Sequence, residues 1–169
     1  LGISVAFAGD VNASGGSDIV IGSWQYSNGQ TNEGRIYIFY GFPGLTYFPT
    51  TPYPPSKFES NSPNSYFGIS VSKAVDVNSD NYCDVIAGAH QYSNGQSLEG
   101  RAYLYLGNLS ATPVLSSWAQ EGNIANYFFG VSVSTAGDVN GDGYADVIVG
   151  ASAFLPGDLG RAYVYYGNN

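Results

Sequence analysis

Residues 137–146 read GDVNGDGYAD, and the apolar run VIVGA follows at once. Oxygen-bearing side chains recur at every second place: Asp138, Asn140, Asp142 and Asp146, with Tyr144 at the seventh position of the stretch that starts at Asp138. Such a stretch can be an enzyme's carboxylate cluster, a polar surface turn or a cation cage. Its surroundings bear on the choice, because the pattern occurs three times.

The first copy is LGISVAFAGDVNASGGSDIVIGS (1–23), closing with EGRIYIFYG (33–41). The second is FGISVSKAVDVNSDNYCDVIAGA (67–89), closing with EGRAYLYLG (99–107), and the third is FGVSVSTAGDVNGDGYADVIVGA (129–151), closing with LGRAYVYYG (159–167). Asp10 to Asp76 is 66 positions and Asp76 to Asp138 is 62. A fixed period of this length marks a repeat architecture. The chain is expected to be a single repeat domain over 1–169, divided near 1–66, 67–128 and 129–169.

Each copy reads as strand, acidic loop, strand, longer loop, strand. The runs ISVAFA, DIVIGS, RIYIFYG and their counterparts are short, β-branched and aromatic, bounded by Gly and Asn, which is a strand signature. Tyr103, Leu104, Tyr105 and Leu106 form an uninterrupted apolar run, which implies a strand buried on both faces. Small antiparallel sheets covered on both sides occur as blades of a β-propeller. KFES (57–60) and SWAQ (117–120) are the candidates for a fourth, outer strand, and the Pro-rich 42–56 before the first suits an edge position. After Gly167 no fourth strand follows in the third copy.

Bulk composition agrees. Hydrophobic residues make up 44% of 169, with 15 Tyr, 9 Phe and 2 Trp, enough for a real core. Only 5 Lys and Arg stand against 13 Asp and Glu, a net charge of −8. That charge and the absence of a basic stripe argue against nucleic acid and anionic membrane surfaces. No apolar stretch approaches the ~18–20 residues of a membrane-spanning helix. Cys83 is the single cysteine, so no intrachain disulfide forms. The chain starts directly at strand-like LGISVAF without Met, so a mature, processed or truncated product is expected.

The loops carry the chemistry. The third offers Asp138, Asn140, Asp142, Tyr144 and Asp146; the second Asp76, Asn78, Asp80, Tyr82 and Asp84; the first Asp10, Asn12, Ser14, Gly16 and Asp18. Calcium takes about 6–8 oxygen ligands, and side chains at positions one, three, five and nine of a tight loop can wrap one ion. The seventh position is expected to give its backbone carbonyl, which would explain why its side chain varies. Of the 13 acidic residues, eight lie in these loops. Crowding three carboxylates costs about a few kcal/mol, which a divalent ion relieves; a plain Asx-turn needs only one or two Asp or Asn. Strand flanks and the lack of a closing Glu exclude an EF-hand. The expectation is up to three Ca2+, one per repeat, weakest in the first, where Ser14 stands for an Asp. Magnesium fits less well, since it keeps its waters.

Phe129-Gly130, then Gly137 to Asp146, then Val149-Gly150-Ala151 resemble the FG-GAP repeats of integrin α-subunit propellers, and all three copies share the likeness. The resemblance implies one β-propeller blade per repeat, calcium in the loop joining the first two strands, an extracellular setting, and often adhesion or ligand recognition. Departures are Leu1 for Phe, Val75 for Gly, Ser14 for Asp, and GSW, GAH and GAS where the family has Gly-Ala-Pro.

Propellers close with about four to eight blades, so three blades leave two apolar faces to cover. A longer propeller, a ring of chains and a head-to-tail fibre all meet that need. His90 is the only histidine, and no G-x-S-x-G accompanies it, so a hydrolase triad is not expected. Cys83 takes a place held by Ser17 and Ala145, a small-residue site. Arg35, Arg101 and Arg161 recur before the third strands and are expected to meet a structural carboxylate or carbonyl. Trp24, Tyr26, Tyr92 and Phe154 read as packing residues, although exposed and grouped they would suit sugar stacking. Asn108-Leu109-Ser110 is a glycosylation sequon.

The function expected from the sequence is an extracellular calcium-binding propeller repeat protein with a structural, adhesion or assembly role, not an enzyme. Its partners would be further blades or copies of itself, or a protein or glycan ligand. The alternatives are a lectin-like glycan-binding module and the non-catalytic propeller part of a larger secreted enzyme.

Overall fold

The computed structural model describes residues 2–44, 55–110, 114–152, 157 and 159–168. Its regular elements are all strands, in three antiparallel sheets. The first sheet runs β1 (Ser4–Gly9), β2 (Asp18–Ser23), β3 (Arg35–Phe39) and β4 (Ser56–Glu59), side by side in chain order. The second repeats this with β5 (Ser70–Val75), β6 (Asp84–Ala89), β7 (Arg101–Leu106) and β8 (Val114–Glu121). The third has β9 (Phe129–Gly137), β10 (Asp146–Ala151) and β11 (Arg161–Tyr165). The fold is therefore all-β, with three four-strand-type blades of the propeller kind. Both expected outer strands form, and the third blade has three strands among the described residues.

The blades are stacked by their first strands, β1 against β5 and β5 against β9. Each blade has two unlike faces. Val20, Ile36 and Ile38 of the first blade pack on Val85, Tyr103 and Tyr105 of the second. Ile86, Ala102 and Leu104 on the other side of the second blade pack with Val147, Tyr163 and Tyr165 of the third. An aliphatic face thus meets an aromatic one at each boundary, and apolar burial there is the main stabilising term. The middle strand β7 is buried at Ala102, Tyr103, Leu104 and Tyr105, as its unbroken apolar run implies. Its counterpart β11 packs Tyr163 and Tyr165 on the second blade and is exposed at Arg161, Ala162 and Val164, where no further blade or fourth strand lies among the described residues.

The Phe-Gly pairs that open the second and third copies are the joints between blades. The Phe67 N–H donates to the Glu33 carbonyl at 3.2 Å and Phe129 to Glu99 at 3.0 Å. Gly34 and Gly100 make parallel bridges to these phenylalanines, and a Cβ on either glycine would collide with the Phe backbone. This close approach explains the Gly after each of these glutamates.

Candidate metal centres

Each acidic loop begins at a β-bulge. The register between first and second strands slips at Gly9, Val75 and Gly137, which pair with Asp18, Asp84 and Asp146. Gly9 and Gly137 adopt φ of 81° and 73°. A bulge of this kind bends the strand end and re-aims the loop beyond it, here bringing the first and ninth loop positions together.

Within the third loop, Asp138 accepts N–H groups from Gly141, Asp142 and Gly143 at 2.7 to 3.1 Å. Asn140 accepts from the Asp142 N–H and donates its amide to Asp142 Oδ2 at 2.7 Å. Asp142 Oδ1 accepts from Tyr144 N–H. The second loop has the same pattern: Asp76 accepts from Asp80 and Asn81, Asn78 donates to Asp80, and Asp80 accepts from Tyr82. The first loop differs at its fifth position. Asp10 accepts from Ser14 and Gly15, and Asn12 from Ser14, but the Ser14 hydroxyl donates to the Gly41 carbonyl at 2.8 Å. Gly16 N–H lies 3.4 Å from that hydroxyl.

The ninth position has a second duty that the spacing did not reveal. Asp18, Asp84 and Asp146 are fully buried. Their Oδ2 atoms accept the Val11, Val77 and Val139 N–H groups at 2.8 Å. Their Oδ1 atoms accept Gly41, Gly107 and Gly167 N–H groups at 2.8 to 2.9 Å. Each therefore ties the loop's start to the end of the third strand. The recurring Gly after each third-strand run was the available sequence signal. Burial pushes the Asp18 carboxyl up to about 6, with Gly41 and Val11 opposing and Asp10 adding repulsion. Burial pushes Asp84 up to about 7, against Val77 and Gly107 and with Asp80 and Asp76 adding.

Positions one, three and five are thus brought into one network, and position nine sits just inside it. The side chains of Tyr82 and Tyr144 and the Cβ-less Gly16 add no carboxylate at position seven. Among the described residues no three His, Cys, Asp or Glu side chains form a metal-holding group; the loop oxygens accept the loop's own N–H groups. The donor set still fits a hard cation, since every candidate is an oxygen and the carboxylates repel through a buried member. The loops are also linked in series: Cys83 N–H donates to the Asp10 carbonyl and Ala145 N–H to the Asp76 carbonyl, both at 3.1 Å.

The other singled-out residues are engaged in packing. Arg35 pairs with Glu59 and Arg101 with Glu121 (3.5 Å), each across third and fourth strands. Arg161 lies 5.9 Å from the Tyr127 ring centre. Arg35 covers the Tyr26 ring at 3.6 Å, Tyr92 meets Arg101 and Tyr103, and Trp24 meets Tyr66 at 4.9 Å. Each of these three rings is half-buried and engaged with a neighbouring side chain; Phe154 lies outside the described residues. Cys83 is half-buried against Gly9, where an added Cβ would strike its sulfur. Asn108 Oδ1 accepts from Ser110 N–H at 2.9 Å. Two buried acids, Glu33 and Glu99, were not singled out in the sequence, although each opens a repeated Glu-Gly-Arg triplet. Each is fully buried, with Oε1 on the loop N–H of Asn28 or Asn94 and Oε2 without a partner among the described residues.

Comparison with known proteins gives a consistent answer. Residues 129–165 match the FG-GAP repeat family. The chain is similar to integrin alpha-6 of Gallus gallus, 35% identical over 113 residues, covering 66% of this chain and 10% of that protein. It is similar to integrin alpha-PS2 of Drosophila melanogaster, 34% over 110 residues, covering 61% and 8%. Integrin alpha-2 of Bos taurus is 32% identical over 155 residues, covering 88% and 13%. The chain spans about a tenth of the length of these curated relatives.

Proposed function

The chain belongs to the FG-GAP repeat family, with integrin-α-like repeats, and on that premise we propose that it is an extracellular, calcium-binding set of propeller blades with an adhesion-related, non-catalytic role. The observation that carries the metal reading is the shared oxygen network of the second and third loops, Asp76–Asn78–Asp80 and Asp138–Asn140–Asp142, beside the buried Asp84 and Asp146.

The residues that would hold calcium are Asp138, Asn140, Asp142 and Asp146 in the third loop, with the Tyr144 carbonyl. Asp76, Asn78, Asp80, Asp84 and Tyr82 would serve in the second, and Asp10, Asn12, Ser14, Asp18 and Gly16 in the first. A bound divalent ion supplies charge neutralisation and cross-links first strand to second. The protein's own part is positional: the bulge aims position one, and the Gly107 or Gly167 N–H fixes position nine. The resulting role is to stiffen each blade so that the surface loops form a rigid recognition surface for a protein ligand. Blades of another copy or of a longer chain would cover the two ends.

Thermal unfolding with and without calcium tests this. Calcium should raise the melting temperature and EDTA should lower it, since an ion that binds only the folded state stabilises by mass action. An unchanged melting temperature across EDTA, calcium and magnesium would remove the metal reading.

A further inference from the structure

We propose that Asn28 and Asn94, in the loops joining β2 to β3 and β6 to β7, are sites of spontaneous deamidation, and that their conversion loosens the outer strands of the first and second blades. The proposal stands apart from the metal reading.

The chain holds three Asn-Gly pairs, at 28–29, 94–95 and 140–141. In such a pair the glycine nitrogen, unscreened by a Cβ, can close on the asparagine side chain. The nitrogen bonds to Cγ, its proton passes to solvent water, and Nδ2 leaves as ammonia, giving a cyclic imide. Water then opens the imide at either carbonyl, leaving aspartate or its backbone-shifted isomer, isoaspartate. One water is consumed and one ammonia released, with no change of oxidation state. The structure separates the pairs that are free to react from the pair that is held.

The first two pairs are free. Asn28, Gly29, Asn94 and Gly95 are all exposed. The two glycines adopt φ of 89° and 91°, with open space where a Cβ would stand. Their N–H groups meet no acceptor among the described residues. The third pair is equally exposed but is tied at both reacting groups. Gly141 N–H donates to Asp138 Oδ1 at 2.7 Å, and the Asn140 amide both accepts from Asp142 N–H and donates to Asp142 Oδ2. Exposure alone therefore does not rank the three pairs; the engagement of the glycine nitrogen does.

Conversion at 28 or 94 changes the blade's outer edge. Asn28 Nδ2 donates to Glu59 Oε2 at 3.3 Å, and Asn94 Nδ2 lies 3.4 and 3.3 Å from the two Glu121 oxygens. Those acids pair with Arg35 and Arg101, joining third strand to fourth. Deamidation replaces the donor with a carboxylate, so that like charges face each other. Isoaspartate also lengthens the stretch from 28 to Glu33, or from 94 to Glu99, by one methylene. Across that stretch the Asn28 and Asn94 N–H groups donate to the buried Glu33 and Glu99 Oε1 atoms. A buried carboxylate that loses such a donor is destabilised.

Ageing the whole chain in calcium-containing, mildly alkaline buffer at body temperature gives the test, read by isoelectric focusing and by mass-spectrometric peptide mapping. Acidic forms should accumulate and map to 28–29 and 94–95. They should form at least about tenfold faster than at 140–141, the factor imposed by first breaking a hydrogen bond to a charged group. Asn28→Gln with Asn94→Gln should remove them, since glutamine must close a larger and slower ring. Asn28→Asp with Asn94→Asp, made directly, should lower the urea midpoint, with a deficit that shrinks at high salt as screened charges do. No conversion at 28 and 94, or conversion at Asn140 just as fast, overturns the proposed sites. An Asp double variant as stable as the wild type overturns the loosening of the outer strands.

Discussion

The Gly107 N–H donates to Asp84 Oδ1 at 2.9 Å, joining residues 23 apart at the base of the second acidic loop. The other oxygen takes the Val77 N–H at 2.8 Å. Removing the carboxylate leaves two buried N–H groups unsatisfied, each costing about 1–3 kcal/mol. Asp84→Ala is expected to destabilise the metal-free chain by about 3 kcal/mol, read from urea unfolding in EDTA. A loss under about 1 kcal/mol would mean that Asp84 serves only a bound ion.

Val75 holds the bulge position that Gly9 and Gly137 fill elsewhere, and it does so at φ 67°. A β-branched residue in the left-handed region stores about 1–3 kcal/mol. Its half-buried side chain packs against the second core layer, which offsets part of that. Val75→Gly should therefore stabilise the chain by about 1 kcal/mol net, seen as a higher urea midpoint at unchanged slope.

How much of this is legible in the sequence differs by residue. The strands and blade boundaries come from apolar runs repeated at one period, because burial on both faces leaves a composition that the eye can count. The outer strands SKFE and VLSSWAQE are readable only by elimination. The tie from Asp84 to Gly107 is not readable as such: the same Asp satisfies a metal-loop pattern, and nothing local says that its oxygens also hold a strand end 23 residues on. Glu33 and Glu99 escape notice for a similar reason. A charged residue in a polar loop reads as solvated, and burial there comes from the next blade's Phe, which is remote in sequence.

Ser14 separates the first loop from the others, since its hydroxyl is spent on the Gly41 carbonyl. Adding a carboxylate raises the ligand charge that sets calcium affinity. Ser14→Asp should bring the first loop toward the other two, tightening calcium binding there by about tenfold. Isothermal titration of the variant would show an additional tight site; an unchanged isotherm would assign the first loop no ion.

His90 lies between the Tyr66 and Phe128 rings, at 5.8 and 6.0 Å, and its buried Nδ1 has no partner among the described residues. Burial holds its pKa below the ordinary 6.5. The unfolded chain therefore takes up the proton first as pH falls. The stability tied to neutral His90 is complete above 6.5 and is lost as pH drops from there through the lowered folded value. His90→Ser, copying Ser152, should flatten the change in urea midpoint between neutral and mildly acidic buffer, at saturating calcium. Equal pH slopes in the two proteins would show that His90 stays accessible to protons.

Gly88 and Gly150 occupy one repeat position, in GA pairs that the sequence cannot tell apart, but their neighbours differ. A Cβ on Gly88 collides with the Gly130 carbonyl of the adjoining blade, backbone that cannot move without opening the boundary. Among the described residues the atoms nearest a Cβ on Gly150 all belong to Ser132, whose hydroxyl can rotate away. Overpacking against fixed atoms costs about 1–3 kcal/mol or more. Gly88→Ala should therefore lose at least about 3 kcal/mol of stability, while Gly150→Ala should stay within about 0.5 kcal/mol as an isolated chain. Equal losses of stability at the two positions would mean that strand conformation, not the neighbouring blade, selects this glycine.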